Sequence, residues 1–324
     1  MKITFIAAEN CLASGIAGLL DMFAIANMWQ ASLSGGSEPL FATEIVSADG
    51  RPMLSSGCIQ LLPHRSLTEA TDTAFVIIPP FIPLPDSKAV NKPLQNWLVA
   101  RHEKKTPIAA LCTGAFLLAE TGLLNGRTAT TNWHFARKFR RSFPKVRLDI
   151  DRLITEEDGL LCAGAATAQY NLGLRIIGRY GSKELAAICA KALLIDPRRD
   201  SQTPYFMHRR EDHHDAEMLK AQRYFEENYD RNIRIDEVAN HVRLSPRHFK
   251  RRFQNATGCS PISYLQMVRI EVAKQKLEST LESIEEITRQ IGYEDSSTFR
   301  RLFKSQTKLS PREYRDKFLH EFFD

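Results

Sequence analysis

Two stretches of the chain, IDEVANHVRLSPRHFKRRFQNATGCSPISYL at 235–265 and IEEITRQIGYEDSSTFRRLFKSQTKLSPREYR at 284–315, are copies of one unit. Ile235 aligns with Ile284, Phe249 and Phe253 with Phe299 and Phe303, and Ser260-Pro261-x-x-Tyr264 with Ser310-Pro311-x-x-Tyr314. Each copy opens with apolar residues at helical spacing: Ile235, Val238, Ala239 and Val242 in the first, Ile284, Ile287 and Ile291 in the second. A break follows. Arg243-Leu244-Ser245-Pro246 supplies an N-cap and a proline suited to a first helical turn, while Gly292-Tyr293-Glu294-Asp295-Ser296 supplies a turn glycine and another cap. The helix after each break, about 245–256 and 296–306, buries its phenylalanine pair at i,i+4 spacing.

What remains outside is basic and polar. Residues 243–252 hold Arg243, Arg247, Lys250, Arg251 and Arg252 without one acid, and 300–308 hold Arg300, Arg301, Lys304 and Lys308. A helix of this kind fits the major groove, where arginine bonds guanine, serine meets base edges or phosphate, and lysine mostly meets phosphate. The candidate DNA contacts are Arg247, His248, Lys250 and Arg251 in the first copy and Ser296, Ser297, Arg300, Arg301 and Lys304 in the second. A solvated basic face and a buried phenylalanine pair are each ordinary alone. Two copies about 50 residues apart, each with cap, aromatic pair, basic face and closing Ser-Pro-x-x-Tyr, argue for duplicated function.

Upstream, the texture differs. Length alone, 324 residues, exceeds what one core usually holds, so two domains are expected. Short apolar, β-rich runs (KITFIAA, FATEIVSA, AFVIIPP, PIAALC) alternate with helical stretches at 15–30, 87–103, 114–121, 166–180 and 182–194. That rhythm implies βαβ units and a parallel sheet covered on both faces. DPRRDSQTPYFMHRREDHH, rich in proline and charge, reads as a linker. The expected division is therefore 1–195, a linker at 196–214, and an all-α domain at 215–324 with two helix-turn-helix units.

Composition excludes several classes. Hydrophobic residues are 43% and charged residues 25%, far from a disordered profile. The N-terminus reads as a buried first strand and not a signal peptide, and no run of about 18 apolar residues occurs, so a soluble, cytoplasmic protein is expected. The six cysteines lack metal or redox-pair spacing, so neither metal nor cofactor is expected. A net charge of +6 is compatible with nucleic acid, but the two local clusters carry the signal.

Residues 215–318, with the closing IGYEDSSTFRRLFKSQTKLSPREYR, resemble the DNA-binding domain of AraC-type regulators. In such domains a glycine usually stands where this chain has Arg243 and Lys308. The resemblance implies that a helix at 266–279 is a rigid connector holding the two units in adjacent major-groove turns. It also implies a transcription regulator, commonly an activator, with double-stranded DNA as partner and RNA polymerase as a candidate one.

The segment AALCTGAFLLAETGLL puts Cys112 after an apolar strand and before a helix, an elbow that exposes a nucleophile and whose helix N-terminus lowers a thiol pKa. A cysteine there is as often buried filler. The segment resembles the DJ-1/PfpI group, relatives of class I glutamine amidotransferases, and in particular the GlxA-like branch fused to AraC-type domains. A flavodoxin-like parallel-sheet sandwich is implied. Catalysis in that group needs a histidine and a carboxylate beside the cysteine. Here Asn132 follows TT where relatives carry histidine, and 13–18 read ASGIAG, without an acid. The expectation is a non-enzymatic domain that senses a small metabolite, lined by Cys112, Thr113, Asn10 and Asn132, and that pairs into a homodimer. The alternatives are a cysteine-dependent amidase, protease or glyoxalase-like enzyme with a DNA-binding tail, a scaffold of helical interaction repeats, and a relic fold kept only for dimerisation.

Overall fold

A computed structural model of the chain describes residues 1–84, 92–207 and 213–319. It divides into two compact units, Met1–Gln202 and Thr203–Asp324. The segment expected as a linker is thus shared: its first residues close the first unit, and those from Thr203 open the second. Residues 208–212 of it, and 87–91 of one expected helix, lie outside the described residues.

The first unit is built on strands β1 (Lys2–Ile6), β2 (Ala42–Ser47), β3 (Met53–Leu54), β4 (Gln60–Leu61), β5 (Arg65–Ser66), β6 (Phe75–Ile78), β7 (Ile108–Leu111), β8 (Thr128–Ala129), β9 (Arg147–Leu148), β10 (Ile154–Glu157) and β11 (Leu160–Ala163). Seven form one sheet in the order β10-β11-β7-β6-β1-β2-β5. Every pairing in it is parallel except β10 on β11. Phe75–Ile78 and Ile108–Leu111 are buried throughout, as strands covered on both faces must be. The covering helices are α1 (Ala13–Ser34), α2 (Lys92–Glu103), α3 (Gly114–Glu120), α4 (Ala136–Ser142), α5 (Ala168–Tyr180) and α6 (Lys183–Ala192). By length and composition α1 could cross a membrane. Here its Ile16, Leu19, Met22, Phe23 and Ala26 are buried in the core, and it packs on α5 and α6.

The chain runs outward from β1 to β2 and, on the other side, from β6 to β7 and β11, so the order reverses between β1 and β6. Open α/β sheets bind ligands at such a switch point, beyond the carboxyl ends of the strands. The segments that follow β1, β6 and β7 here are the ones holding Asn10, Phe81 and Cys112.

The second unit is helical: α7 (Ala216–Glu227), α8 (Ile235–His241), α9 (Pro246–Thr257), α10 (Pro261–Ser279), α11 (Ile284–Gln290), α12 (Ser296–Thr307) and α13 (Pro311–Phe318). Two cores form, one around Phe225, Phe249 and Phe253 and one around Phe299, Phe303 and Tyr314. The connector α10 lends Val268 to the first and Ile270, Ala273 and Leu277 to the second. A short 3-10 turn, Thr203–Tyr205, packs on α12, and the buried Lys274 Nζ donates to the Phe206 carbonyl and, at 3.0 Å, to Glu271.

The duplication runs deeper in space than in sequence. Ser260 and Ser310 each cap the helix of the closing motif. The tyrosine that follows donates its hydroxyl to a glutamate, Tyr264 to Glu226 at 2.8 Å and Tyr314 to Glu278 at 2.6 Å. So α7 serves the first copy as the second half of α10 serves the second.

Candidate functional site

Helices α8 and α9, and again α11 and α12, form the two helix-turn-helix pairs. Ser245 accepts from the His248 amide and Pro246 fills the first turn of α9. Asp295 accepts from the Ser297 and Thr298 amides at 3.1 and 2.8 Å. Those bonds, with the Thr298 side chain foremost, hold the Asp295 carboxyl down at about 2. With Phe249, Phe253, Phe299 and Phe303 fully buried, the opposite face of each helix is turned to solvent. Arg247, His248, Lys250 and Arg251 are exposed on α9, as are Ser297, Arg300, Arg301 and Lys304 on α12; Ser296 is half-buried.

Arg252 and Arg300 of the basic runs are held by acids. Arg252 makes a two-pronged bond to Asp215, at 2.7 and 2.8 Å, which ties α9 to the start of α7 and lowers the Asp215 pKa. Arg300 meets Glu285 at 2.6 Å, an exposed pair of small worth that a phosphate can replace.

The turns settle the two unusual positions. Arg243 and Lys308 adopt φ of 55° and 63°, the left-handed conformation of their repeat partners Gly292 (78°) and Gly258 (76°). Each copy therefore keeps the turn and the C-cap that the motif needs, with one glycine and one cation in the two left-handed positions.

In the first unit, Cys112 does close β7 at an elbow. Its φ is 52°, a conformation a non-glycine residue adopts only when its surroundings fix it. They do so: its amide donates to the Ala163 carbonyl at 2.7 Å, and its carbonyl accepts from the Thr131 hydroxyl at 2.8 Å. Gly114 follows because a Cβ there would sit 2.5 Å from the Pro79 carbonyl oxygen. The expected acidic thiol is corrected by the structure. Burial pushes the Cys112 thiol up to about 11, outweighing bonds from Thr113 and Asn132. The helix behind it, α3, has seven residues, and its N-terminal field cannot compensate for a thiol that is 7% exposed. Neither Thr113 nor Asn132 can take its proton.

Of the four expected lining residues, Cys112, Thr113 and Asn132 are not among those that line the cleft at Asn10. Asn10, with φ of 63°, lines an open cleft of about 410 Å³ together with Glu9, Pro52, Met53, Leu54, Ser55 and Gln60. Thr113 is buried, its hydroxyl accepting from the Phe81 amide at 2.7 Å and donating to the Phe81 carbonyl at 2.9 Å. Asn132 is half-buried and caps the 3-10 turn Trp133–Phe135 through the His134 amide. One residue joins the two places. Phe81 forms a bridge with Cys11, and Ile82 donates its amide to the Asn10 carbonyl at 3.0 Å, so the cleft wall and the elbow grip the same loop. Sequence reading missed Phe81, which carries no chemistry of its own. Gln202 was missed as well: it is buried, and its amide donates to the Thr131 carbonyl at 2.9 Å.

Residues 30–178 match the DJ-1/PfpI family, and residues 238–317 match a helix-turn-helix domain. The HTH-type transcriptional regulator GbdR of Pseudomonas aeruginosa is 25% identical over 97% of this chain and 84% of its own length. The HTH-type transcriptional regulator CdhR of the same species is 26% identical over 93% of this chain and 87% of its own. Among solved structures, an AraC family transcriptional regulator from Pseudomonas putida shares the fold of the first unit, with a TM-score of 0.51 at 18% identity over 59% of this chain and 98% of that one.

Proposed function

We propose that the chain, which matches the DJ-1/PfpI family in its first unit and a helix-turn-helix domain in its second, is an AraC-type regulator that controls transcription by reading adjacent major-groove segments with α9 and α12, in response to a small metabolite held by the first unit. One observation carries this reading: a capped helix with a buried phenylalanine pair and an outward cationic face occurs twice, on one connector. Arg251 and Arg301, each two residues before the second phenylalanine of its pair, are assigned to bases; Arg247, Lys250, Arg300 and Lys304 to phosphate; His248, Ser296 and Ser297 to either.

The first unit is assigned to sensing rather than catalysis. A thiol held protonated by burial, with Thr113 and Asn132 as its hydrogen-bond partners and neither able to accept its proton, is a poor nucleophile at neutral pH. Occupation of the cleft at Asn10 would instead be felt at Cys112, Thr113 and Asn132 through the loop at Phe81. The same reading makes the protein a cytoplasmic homodimer joined through its first unit, with RNA polymerase as a contact in activation.

The test is a titration of a duplex selected from random sequence by the wild-type chain. Arg251→Ala or Arg301→Ala should weaken binding by ~1–3 kcal/mol if the arginine reads a base, or flatten the salt slope by about one if it meets phosphate. A titration that shows neither of these changes refutes the assignment. Turnover of amide, ester or 2-oxoaldehyde substrates at ordinary enzymatic rates, abolished in Cys112→Ser, would hand the first unit to the enzyme reading.

A further inference from the structure

We propose that Arg269 is a positioning residue that sets the rotational phase between the two reading helices, so that the protein measures the spacing between the two halves of its DNA site. The inference rests on reading α9 and α12 as the DNA-facing helices.

Arg269 lies on α10 and is 9% exposed. Its Nε donates to the Tyr229 carbonyl at 2.8 Å and its terminal nitrogen to the Arg231 carbonyl at 2.9 Å, both in the loop between α7 and α8 of the first copy. The central carbon of the same guanidinium lies over the Tyr293 ring, 4.8 Å from its centroid, in the turn between α11 and α12 of the second copy. One side chain thus holds one loop through two N–H donors and places its cation over an aromatic ring of the other, a combination that suits a planar, multi-donor group.

The surroundings make this a junction rather than a lone contact. Tyr229 packs against both cores of the unit. Gly292 comes so near the first copy that an added Cβ would stand 2.6 Å from the Asp230 carbonyl oxygen and 2.8 Å from Arg269 itself. Tyr293 in turn leans on Phe299 of α12, ring centroids 6.1 Å apart, so the contact reaches a reading helix within one step.

The internal repeat supplies a control. In the alignment of the copies, Tyr293 corresponds to Leu244 and Arg269 to Leu319. The arginine and the tyrosine meet between the copies, and leucine stands at both corresponding places of the repeat. A residue needed to fold each copy would be repeated with it; this pair is not.

The functional consequence follows from groove geometry. One base pair turns the duplex by roughly 35° and advances it by about 3.4 Å, so a clamp that fixes α12 relative to α9 rejects a site lengthened by one pair. A connector helix without the clamp can bend or twist to follow.

The test uses the full chain and the duplex it selects from random sequence, beside the same duplex with one base pair inserted midway between the two protected major-groove segments. Wild type should prefer the selected spacing by tenfold or more. Arg269→Met should bring the preference below threefold, mainly by losing affinity for the selected spacing, and Arg269→Lys, with one donor centre for two carbonyls, should fall between. Tyr293→Leu, which borrows the residue of the other copy and so keeps the turn filled, should behave as Arg269→Met and carries the test should that variant fail to fold. A variant with the wild-type unfolding transition and the wild-type preference would overturn the proposal, and so would equal losses on both duplexes, the mark of a merely structural residue. If the wild type selects no duplex at all, the DNA-reading assignment fails instead.

Discussion

The left-handed turn residues offer a perturbation whose sign reverses between the copies. At Gly292, φ of 78° and a virtual Cβ 2.6 Å from the Asp230 carbonyl oxygen oppose any side chain. For Gly292→Ala, the left-handed backbone costs about 1–2 kcal/mol and the overpacking another ~1–3, while the lower entropy of the unfolded chain returns about 0.5–1. The expected loss is roughly 2–4 kcal/mol. At Arg243, the matching position of the first copy, φ is 55°, and the side chain is exposed with no ion pair among the described residues. Arg243→Gly relieves the same backbone cost and meets only the entropy penalty, so it should be neutral to stabilising by ~1 kcal/mol. Hydrogen exchange read by mass spectrometry on peptides from 283–318 and 235–265 separates the two copies within one protein. Gly292→Ala should speed exchange of the most protected amides in the second copy by roughly 30- to 1,000-fold, and Arg243→Gly should not speed the first. A Gly292→Ala variant within about 0.5 kcal/mol of wild type would refute the reasoning from backbone sterics.

Four further outcomes follow from the site geometry. Iodoacetamide at pH 8 should label the exposed Cys58 well before Cys112, whose thiol stays protonated to about 11; first labelling at Cys112 in peptide mass spectra would contradict its burial. Because the folded value of Cys112 lies above the unfolded 9.0, its contribution to stability is present below pH 9 and lost as pH climbs towards 11. Asp295 has the opposite sign: depressed from 3.8 to about 2, it supports the start of α12 above pH 4, and that support fades as pH falls through about 2, an effect absent from Asp295→Asn amide protection profiles. Hydroxyl-radical footprints on the selected duplex should show two protected major-groove segments per subunit, roughly 10 to 10.5 base pairs apart; a single short segment would defeat the tandem reading.

Much of this was legible because it is local. The phenylalanine pairs, the caps and the Ser-Pro-x-x-Tyr closures are spaced by helix geometry, so a linear reading places them without knowing the fold. The central parallel strands β6 and β7 announce themselves as unbroken apolar runs, whereas the edge strand β5, Arg65–Ser66, carries no such signal. The antiparallel edge hairpin of β10 and β11 did not: Glu156 and Glu157 interrupt its apolar pattern, and only the fold brings Arg175 and Arg179 to Glu156 at 2.8 Å. Arg252 counts in the basic run 243–252, though not among the candidate DNA contacts, and its partner Asp215 stays hidden in the sequence because it is 37 residues away. The elbow was located correctly but its electrostatics were not, since a helix N-terminus is visible in sequence and the desolvation that outweighs it is not. Thr113 was expected to face a ligand; both hydrogen-bonding functions of its hydroxyl are spent on Phe81.

The turn at Thr203–Tyr205 bears on how such proteins could be recombined. A graft that begins at α7 would leave Lys274 buried with its backbone acceptor gone, and with Glu271 and the Tyr314 ring to answer its charge. The DNA-binding module as a transferable part therefore starts at Thr203, ahead of the helices that give it its name. On the other side of that join, Gln202 belongs to the donor of the first unit, because a Cβ at Gly164 would fall 2.3 Å from its side chain. Exchange between relatives should succeed only where the seam lies between these two neighbours, a margin of one peptide bond.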